Sequence, residues 1–481
     1  MKKLSLVLTL FSYLEKIMKV KSIFSLSLLL PFAMIFIYVW YTSAEVPFRD
    51  DMYLIKGGFI ESYCKGTLTF ADLWRPSASA RILGYALIQL ANIKLFGMKS
   101  RMIVMLIPLL MLGSAVLIYL DYRKSLLGRL SPQFIAATFV LLSLTIFNLV
   151  LWEGLTFSYG FVFQSPMPFF IAGFISMQLF LAKGEAKYWP AAFILPVLAI
   201  LIFGGTHSFS FAPALSATLI CYILTRRNSL SKEFWLRVVI IGLFLAMLAF
   251  LYMYRIHYND YFPNSSGHHL DKALDNPSGV VQFLLAAFGA SVVGVNAANI
   301  YFSFHSMVVL GFCVIIIYCL CGYLFFASKL YERTYLPFYL MMQTLFYLIF
   351  MMIARFDYGI DYGMASRYTC VSVYGLAGII WVIIFFLANS EDLKPRWRVL
   401  LYVPIVMIFS GIFLTAIVEW RIQPYRKAYY QNIKDIALRV DTATVEELSK
   451  FQEKPTLVRQ SLMILRDCHL NVYGPSSVDR N

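Results

Sequence analysis

Directly after the first long apolar run of this sequence comes Ala44-Glu-Val-Pro-Phe-Arg-Asp-Asp-Met-Tyr53, which sets Glu45, Arg49, Asp50 and Asp51 close together. One of two adjacent carboxylates can have its pKa raised by the other, and a carboxylate so tuned takes a proton from an alcohol as a general base. Asp50 and Asp51 both fit that role. The plainer alternative is that these charges solvate a helix end or cap a helix running from Met52. A second cluster, Arg355-Phe-Asp-Tyr-Gly-Ile-Asp-Tyr-Gly-Met-Ala-Ser-Arg-Tyr368, sets two guanidiniums around glycines and aromatic rings. Arg355 and Arg367 are candidate phosphate ligands, because a guanidinium forks onto phosphate oxygens and keeps its charge at any relevant pH. Tyr358, Tyr362 and Tyr368 offer ring faces for sugars. The bland reading of the arginines is that they snorkel from helix ends. Glu153 lies in a stretch without Lys or Arg and so lacks a local partner; with Glu45 it is a candidate contact for a sugar or acceptor. Arg75 and Arg81 flank Pro76-Ser-Ala-Ser-Ala80, and Arg81 is a third phosphate candidate, although a cation at a helix head is electrostatically awkward.

The elements that must position these residues are membrane spans. Of the 481 residues, 60% are hydrophobic and 14% charged, with a mean hydropathy of +0.71, whereas soluble domains are about 45–50% apolar. The 42 Phe and 31 Tyr suit packed helices with rings at the headgroup level. Eleven runs reach the roughly 20 residues a span requires: 22–42, 102–120, 132–150, 165–182, 188–204, 207–224, 235–254, 302–327, 335–354, 368–388 and 399–418. Two further stretches, 80–97 and 279–298, are ambiguous.

Positive charge decides between them, because Lys and Arg in short loops resist translocation. With neither ambiguous stretch counted, Arg123/Lys124/Arg129, Lys183/Lys187, Arg226/Arg227/Lys232/Arg237, Lys329/Arg333 and Lys394/Arg396/Arg398 all fall on the side of the basic N-terminus. The fold expected is therefore an all-α polytopic bundle of eleven spans, N-terminus in the cytoplasm and C-terminus outside. Residues 1–21 are an uncleaved cytoplasmic segment. Residues 22–418 form the bundle, including a first outer loop at 43–100 whose 81–96 stretch is an amphipathic helix on the outer interface. The 279–298 stretch is re-entrant or lies on the surface. Residues 419–481 form an outer helical tail with a capping box at Thr444-Val-Glu-Glu447.

Composition also excludes classes of function. The net charge of +15 is scattered over short loops, which reads as topology and not as a nucleic-acid surface. There is no Walker loop, dinucleotide fingerprint or CxxC pair. The six histidines are dispersed, against a single metal site. Cys64 and Cys468 are the only cysteines on the outer side, where an oxidising compartment would let them pair if the fold brings them together.

The whole-chain arrangement, with Asp50-Asp51 after the first span, Arg355 and Ala365-Ser-Arg-Tyr368, resembles the GT-C superfamily of membrane glycosyltransferases. Within it the chain is similar to bacterial O-antigen-modifying, serotype-conversion glucosyltransferases of the inner membrane. The resemblance implies a polyprenyl-phosphate-linked sugar as donor and a glycan or lipid-linked glycan as acceptor, with membrane lipids around the bundle. It implies that Asp50 or Asp51 deprotonates the acceptor hydroxyl while Arg355, Arg367 or Arg81 holds the donor phosphate. No cofactor or divalent metal is expected, since a phosphate monoester leaves readily. The chain lacks the Trp-Trp-Asp motif and large soluble domain of oligosaccharyltransferases, which argues against peptide glycosylation. The competing readings are an O-antigen polymerase and a lipid-linked oligosaccharide flippase or other transporter. The first typically has its large outer loops in mid-chain, and the second calls for ionisable groups within the spans or a repeated architecture.

Overall fold

A computed structural model of the chain describes residues 23–75, 82–204, 208–227, 231–253, 269–390 and 394–474. The N-terminal segment 1–21, Arg81 and the 76–80 stretch lie outside the described residues. What is described is helical, with no strand.

Eight helices are long and apolar enough to cross a membrane: Ser100–Leu126, Pro132–Thr156, Ser158–Lys183, Lys232–Tyr252, Phe304–Ala327, Leu336–Tyr358, Ser372–Asn389 and Pro395–Leu438. They coincide with eight of the eleven predicted runs. The other three are apolar helices too, but shorter among the described residues: Ser27–Thr42, Ala186–Ile202 and Ser210–Arg226. The helix starts follow local chemistry. Proline occupies the first positions at Pro132, Pro166, Pro337 and Pro395, where its missing N–H costs nothing. Ser131 caps the Phe134 amide at 3.2 Å.

Three regions depart from the sequence reading, and a fourth, 279–298, narrows it. The ambiguous 80–97 stretch is a helix at Leu83–Phe96, 14 residues and so about 21 Å long, too short for a core of about 30 Å. Its faces are not sorted by polarity: Gln89 and Asn92 are buried beside Leu83, Ala86 and Ile93, while Leu87, Leu95 and Phe96 are exposed. The polar side chains turn inward because they find partners there, Gln89 donating to the Tyr85 hydroxyl at 2.7 Å and Asn92 to the Lys99 carbonyl at 3.2 Å.

The 279–298 stretch, left as re-entrant or superficial by the sequence, is a bent and buried helix pair, a broken span or a re-entrant loop. Helices Pro277–Ala290 and Val295–Tyr301 meet at 103°, and Phe283, Ala286, Ala287 and Ala290 are buried. Small residues permit this: a Cβ on Gly311 would stand 1.7 Å from the Leu285 carbonyl oxygen, so only glycine lets the two backbones meet.

The segment after Arg355, which the sequence makes a compact outer loop between the runs 335–354 and 368–388, does not stay on the rim. It descends in three 3₁₀ turns, Phe356–Tyr358, Ile360–Met364 and Ser366–Cys370. At its foot the Val371 carbonyl accepts from the Thr344 hydroxyl at 3.0 Å. Thr344 lies eleven residues before Arg355, so the strand of turns drops about 16 Å below the end of that helix.

The tail also starts later than expected. The last span continues without a break as one 44-residue helix, Pro395–Leu438, about 66 Å long. Only then does the chain turn into the helices Val445–Ser449 and Pro455–Asp467, whose Leu448, Val458, Leu462 and Leu465 form a small core. The capping box is present, Thr444 accepting from the Glu447 amide at 3.2 Å and Glu447 from the Thr444 amide at 2.9 Å. This unit sits on the first loop, to which the disulfide Cys64–Cys468 joins it, with 5.9 Å between the Cα atoms.

Candidate functional site

The Arg49-Asp50-Asp51 turn sends its two carboxylates to different surroundings. Asp51 begins the short helix Asp51–Ile55 and is buried. Its carboxylate accepts from the Tyr85 hydroxyl at 2.7 Å, the Ser158 hydroxyl at 2.5 Å and the Phe48 amide at 3.3 Å. Tyr85 in turn accepts from Gln89, so the oxygen that serves Asp51 is itself oriented. Burial raises the Asp51 pKa to about 6 against the pull of these donors, and the neighbouring Asp50 adds only the last contribution. Mutual repulsion of the pair, the cause expected from the sequence, is therefore secondary to desolvation.

Asp50 occupies the position before that helix but makes no capping bond. It is half-buried, and among the described residues none hydrogen-bonds its carboxylate. Burial raises its pKa, opposed by Arg367, Arg355 and Arg49 and reinforced by Glu153. These four are the charged residues recognised in the sequence, now brought to one place from three distant segments.

Glu153 is the hub. It pairs with Arg49, and with Arg367 at 3.1 Å, across 104 and 214 residues of sequence. The loop that left it without a local partner thus gives it two distant ones. Its backbone amide is held at 3.3 Å by the Ser366 hydroxyl, which donates to the Val150 carbonyl at 2.6 Å, so the 3₁₀ turns and the 152–156 helix are tied as one wall. Arg355 forms no ion pair with any described carboxylate. It lies instead over the Tyr358 ring at 5.7 Å.

The three tyrosines make a ladder. Tyr358 stacks on Tyr362 at 5.0 Å and Tyr362 leans on Tyr368 at 5.9 Å. Arg367 is hydrogen-bonded to the Tyr362 hydroxyl and lies within 5.4 Å of both lower rings. Tyr358 is exposed and Tyr368 buried, so the ladder runs from solvent down toward Asp50's neighbours. Glu45, by contrast, is taken up by Arg101 and Lys434, each at 2.7 Å. These cations outweigh the desolvation that would raise its pKa and hold it low, which makes it a brace between loop and long helix.

Sequence reasoning missed the support beneath this site. On the long helix, Arg426 pairs with Glu419 at 2.7 Å, is hydrogen-bonded to the Tyr38 hydroxyl and lies 3.7 Å from the Trp152 ring centre, next to Glu153. One turn on, the Tyr430 hydroxyl meets that of Thr156 at 3.0 Å. The signal was present as Glu419 and Arg426 seven residues apart, two helical turns, and was read as the start of a tail. Lower down, Pro31, Ile35, Phe147, Asn148, Phe409 and Trp420 line an apolar cavity of about 460 Å³. Among the described residues no three His, Cys, Asp or Glu side chains gather as metal ligands.

Compared with known protein families, with curated proteins and with solved structures, the chain matches none. The fold defines it as a helical multi-pass membrane protein; its activity is argued from the site alone.

Proposed function

We propose that the protein is an integral-membrane glycosyltransferase of GT-C type, moving a sugar from a polyprenyl-phosphate donor to a glycan or lipid-linked glycan acceptor on the outer face of a bacterial cytoplasmic membrane. The observation that carries this reading is a carboxylate, Asp50, that has no hydrogen-bond partner among the described residues and faces three arginines whose ion pairs among those residues go to Glu153 alone. Asp51's charge is answered by its own three donors. The remaining group, Arg49, Arg355 and Arg367 against Asp50 and Glu153, carries one net positive charge. A phosphodiester donor with one negative charge neutralises it.

The same count balances after reaction. The acceptor hydroxyl gives its proton to Asp50 as its oxygen bonds to the anomeric carbon, and the bond from that carbon to the phosphate oxygen breaks. The departing polyprenyl phosphate then carries two negative charges, and the neutralised Asp50 leaves two positive ones to meet them. Fixed guanidiniums aimed at developing phosphate charge supply the main stabilisation. Arg355, with no ion pair among the described residues to give up, is the first ligand; Arg367, oriented by Glu153 and Tyr362, is the second. The Tyr358–Tyr362 stack suits the acceptor sugar, and the apolar cavity below supports a hydrocarbon-linked substrate.

The contacts between first loop and tail support the topology. Both lie on one side, so the number of spans between them is even and the total odd, in keeping with eleven. A disulfide there fits the oxidising side of the membrane. The test is transfer from a labelled polyprenyl-phosphate hexose to extracted surface glycan by the purified protein in lipid nanodiscs. Transfer lost with Asp50→Asn is expected. Absence of any glycosyl transfer, with labelled lipid crossing the bilayer instead, overturns the reading in favour of a transporter.

A further inference from the structure

Among the described residues Arg49 is one of five non-glycine residues with positive φ, at +54°. Left-handed backbone is unfavourable for a residue with a side chain, and it persists where surroundings over-determine it. Here the surroundings come from the far end of the chain. The Arg49 amide donates to the Phe451 carbonyl at 3.1 Å. The Pro455–Asp467 helix lies over the Asp51–Ile55 helix, with the Ser461 hydroxyl on the Met52 carbonyl at 3.0 Å and Gln452 on the Tyr53 hydroxyl at 2.8 Å. Asn471 closes the far edge: its backbone amide reaches the Gly97 carbonyl at 2.7 Å, and its side chain the Met98 carbonyl at 2.7 Å and the Glu45 carbonyl at 3.1 Å. Beside the packing of the two helices and the Lys454 ammonium 5.7 Å from the Tyr53 ring, the ties among the described residues between this part of the tail and the first loop are single hydrogen bonds, and the covalent one is Cys64–Cys468.

We infer that residues 439–473 form a disulfide-latched strap that positions the Arg49–Asp50 turn, so that the site is assembled when Cys64 and Cys468 are joined and loosened when they are reduced.

The strap is itself a unit. Arg459 binds the Val440 carbonyl at 2.8 Å and the Ala443 carbonyl at 2.5 Å, and Arg439 pairs with Glu447. Phe451, whose carbonyl accepts the Arg49 amide, is buried. Opening the latch therefore frees a folded piece as a whole and takes the Phe451 carbonyl from Arg49 with it. Without that acceptor Arg49 relaxes from its left-handed conformation. Its side chain then leaves Glu153, and Asp50 turns from the arginines. The chemistry is thiol–disulfide exchange: a dithiol gives two electrons and two protons, becomes a cyclic disulfide, and leaves Cys64 and Cys468 as thiols.

The positioning claim concerns fold and geometry, while its effect on turnover rests on the transferase reading; two readouts on one sample separate them. The intact protein in nanodiscs is compared oxidised, after a membrane-impermeant dithiol, and after removal of the dithiol and reoxidation, with alkylation and mass measurement counting the thiols at each stage. Hydrogen exchange is followed in 45–64 and 445–473 alongside glycosyl transfer. The expected result is exchange about 10-fold faster in both segments on reduction, kcat falling at least as far with the donor KM changed less, and full return on reoxidation. The Cys64→Ser/Cys468→Ser protein should match the reduced state. Equal exchange in oxidised and reduced protein overturns the strap whatever the activity. Faster exchange with no transfer in any state upholds the strap and sinks the transferase reading. Faster exchange with unchanged transfer overturns the positioning role.

Discussion

Replacing Asp50 with Asn tests the site most directly, because the substitution is nearly isosteric and Asp50 has no hydrogen bond from a described residue to lose. Stability should hardly move, by ~0.5 kcal/mol or less, the usual range for such a position. Turnover should fall by ~10²–10⁴, the usual contribution of a positioned general base, about 3–5 kcal/mol of barrier. Donor affinity should change in the opposite direction. Removing a negative charge raises the net charge of the cluster from one to two, and two unit charges ~8 Å apart in an effective dielectric of ~40 interact by about 1 kcal/mol. The donor should then bind ~5-fold tighter while reacting far more slowly. Steady-state transfer with labelled donor, together with a direct Kd for the polyprenyl-phosphate sugar, reads both. In the native protein kcat/KM should rise with pH through a pKa above the ordinary aspartate value, because burial lifts Asp50 and the base must be ionised, and that limb should vanish in the variant. If Asp50→Asn keeps more than a tenth of native kcat, or weakens donor binding, the assignment of base and the charge count both fail.

Asp51→Asn should act on stability instead. With a folded pKa of about 6 against 3.8 for the free side chain, Asp51 contributes stability that is fully present below about pH 4 and lost as pH rises through 6, roughly 3 kcal/mol. Thermal melts should show the native protein gaining stability from pH 7 to 5 and the variant gaining less; parallel curves would refute this. Arg355→Gln should leave the melting temperature within ~1 °C and raise donor KM ~10- to 100-fold, the value of one charge-assisted hydrogen bond of 1.5–3 kcal/mol. A large drop in melting temperature with unchanged KM would make Arg355 structural. Glu153→Gln removes the shared partner of two guanidiniums, of which only Arg49 reaches water freely, its side chain 40% exposed against 16% for Arg367. It should destabilise by ~2–3 kcal/mol and lower kcat more than it raises KM, checked by melts and steady-state kinetics.

The helical bundle was legible because hydrophobic run length is a local quantity: each of the eight spans can be read from its own twenty residues. Charge on short loops was equally local, and it assigned the first loop and the tail to one side, where Cys64 and Cys468 meet. The pairing that makes the site was not. Asp50 and Asp51 are neighbours with the same side chain, and what distinguishes them is Tyr85 and Ser158, 34 and 107 residues away. Glu153 looked unpartnered because both partners are contributed by other segments. The re-entrant 3₁₀ turns escaped notice because a stretch rich in glycine, aspartate and tyrosine reads as a rim loop. Only the hydrogen bonds of Val371 and Cys370 to the preceding helix reveal its depth.

The uninterrupted Pro395–Leu438 helix acts as a height gauge. Its apolar run ends near Arg421, which is exposed, while Arg426 and Tyr430 touch the 152–156 helix five and nine residues later, about 7 and 14 Å farther along a helix that continues through Pro424. Head groups occupy roughly 5–8 Å beyond the hydrocarbon on each side of a bilayer. On that spacing the long helix holds Arg426 about level with the head groups and Tyr430, with the 152–156 helix beside it, just beyond them. A lipid-borne phosphate would arrive already level with the guanidiniums, with no need to be lifted from its leaflet. Adding or removing one helical turn between Arg421 and Arg426 would shift that altitude by about 5 Å.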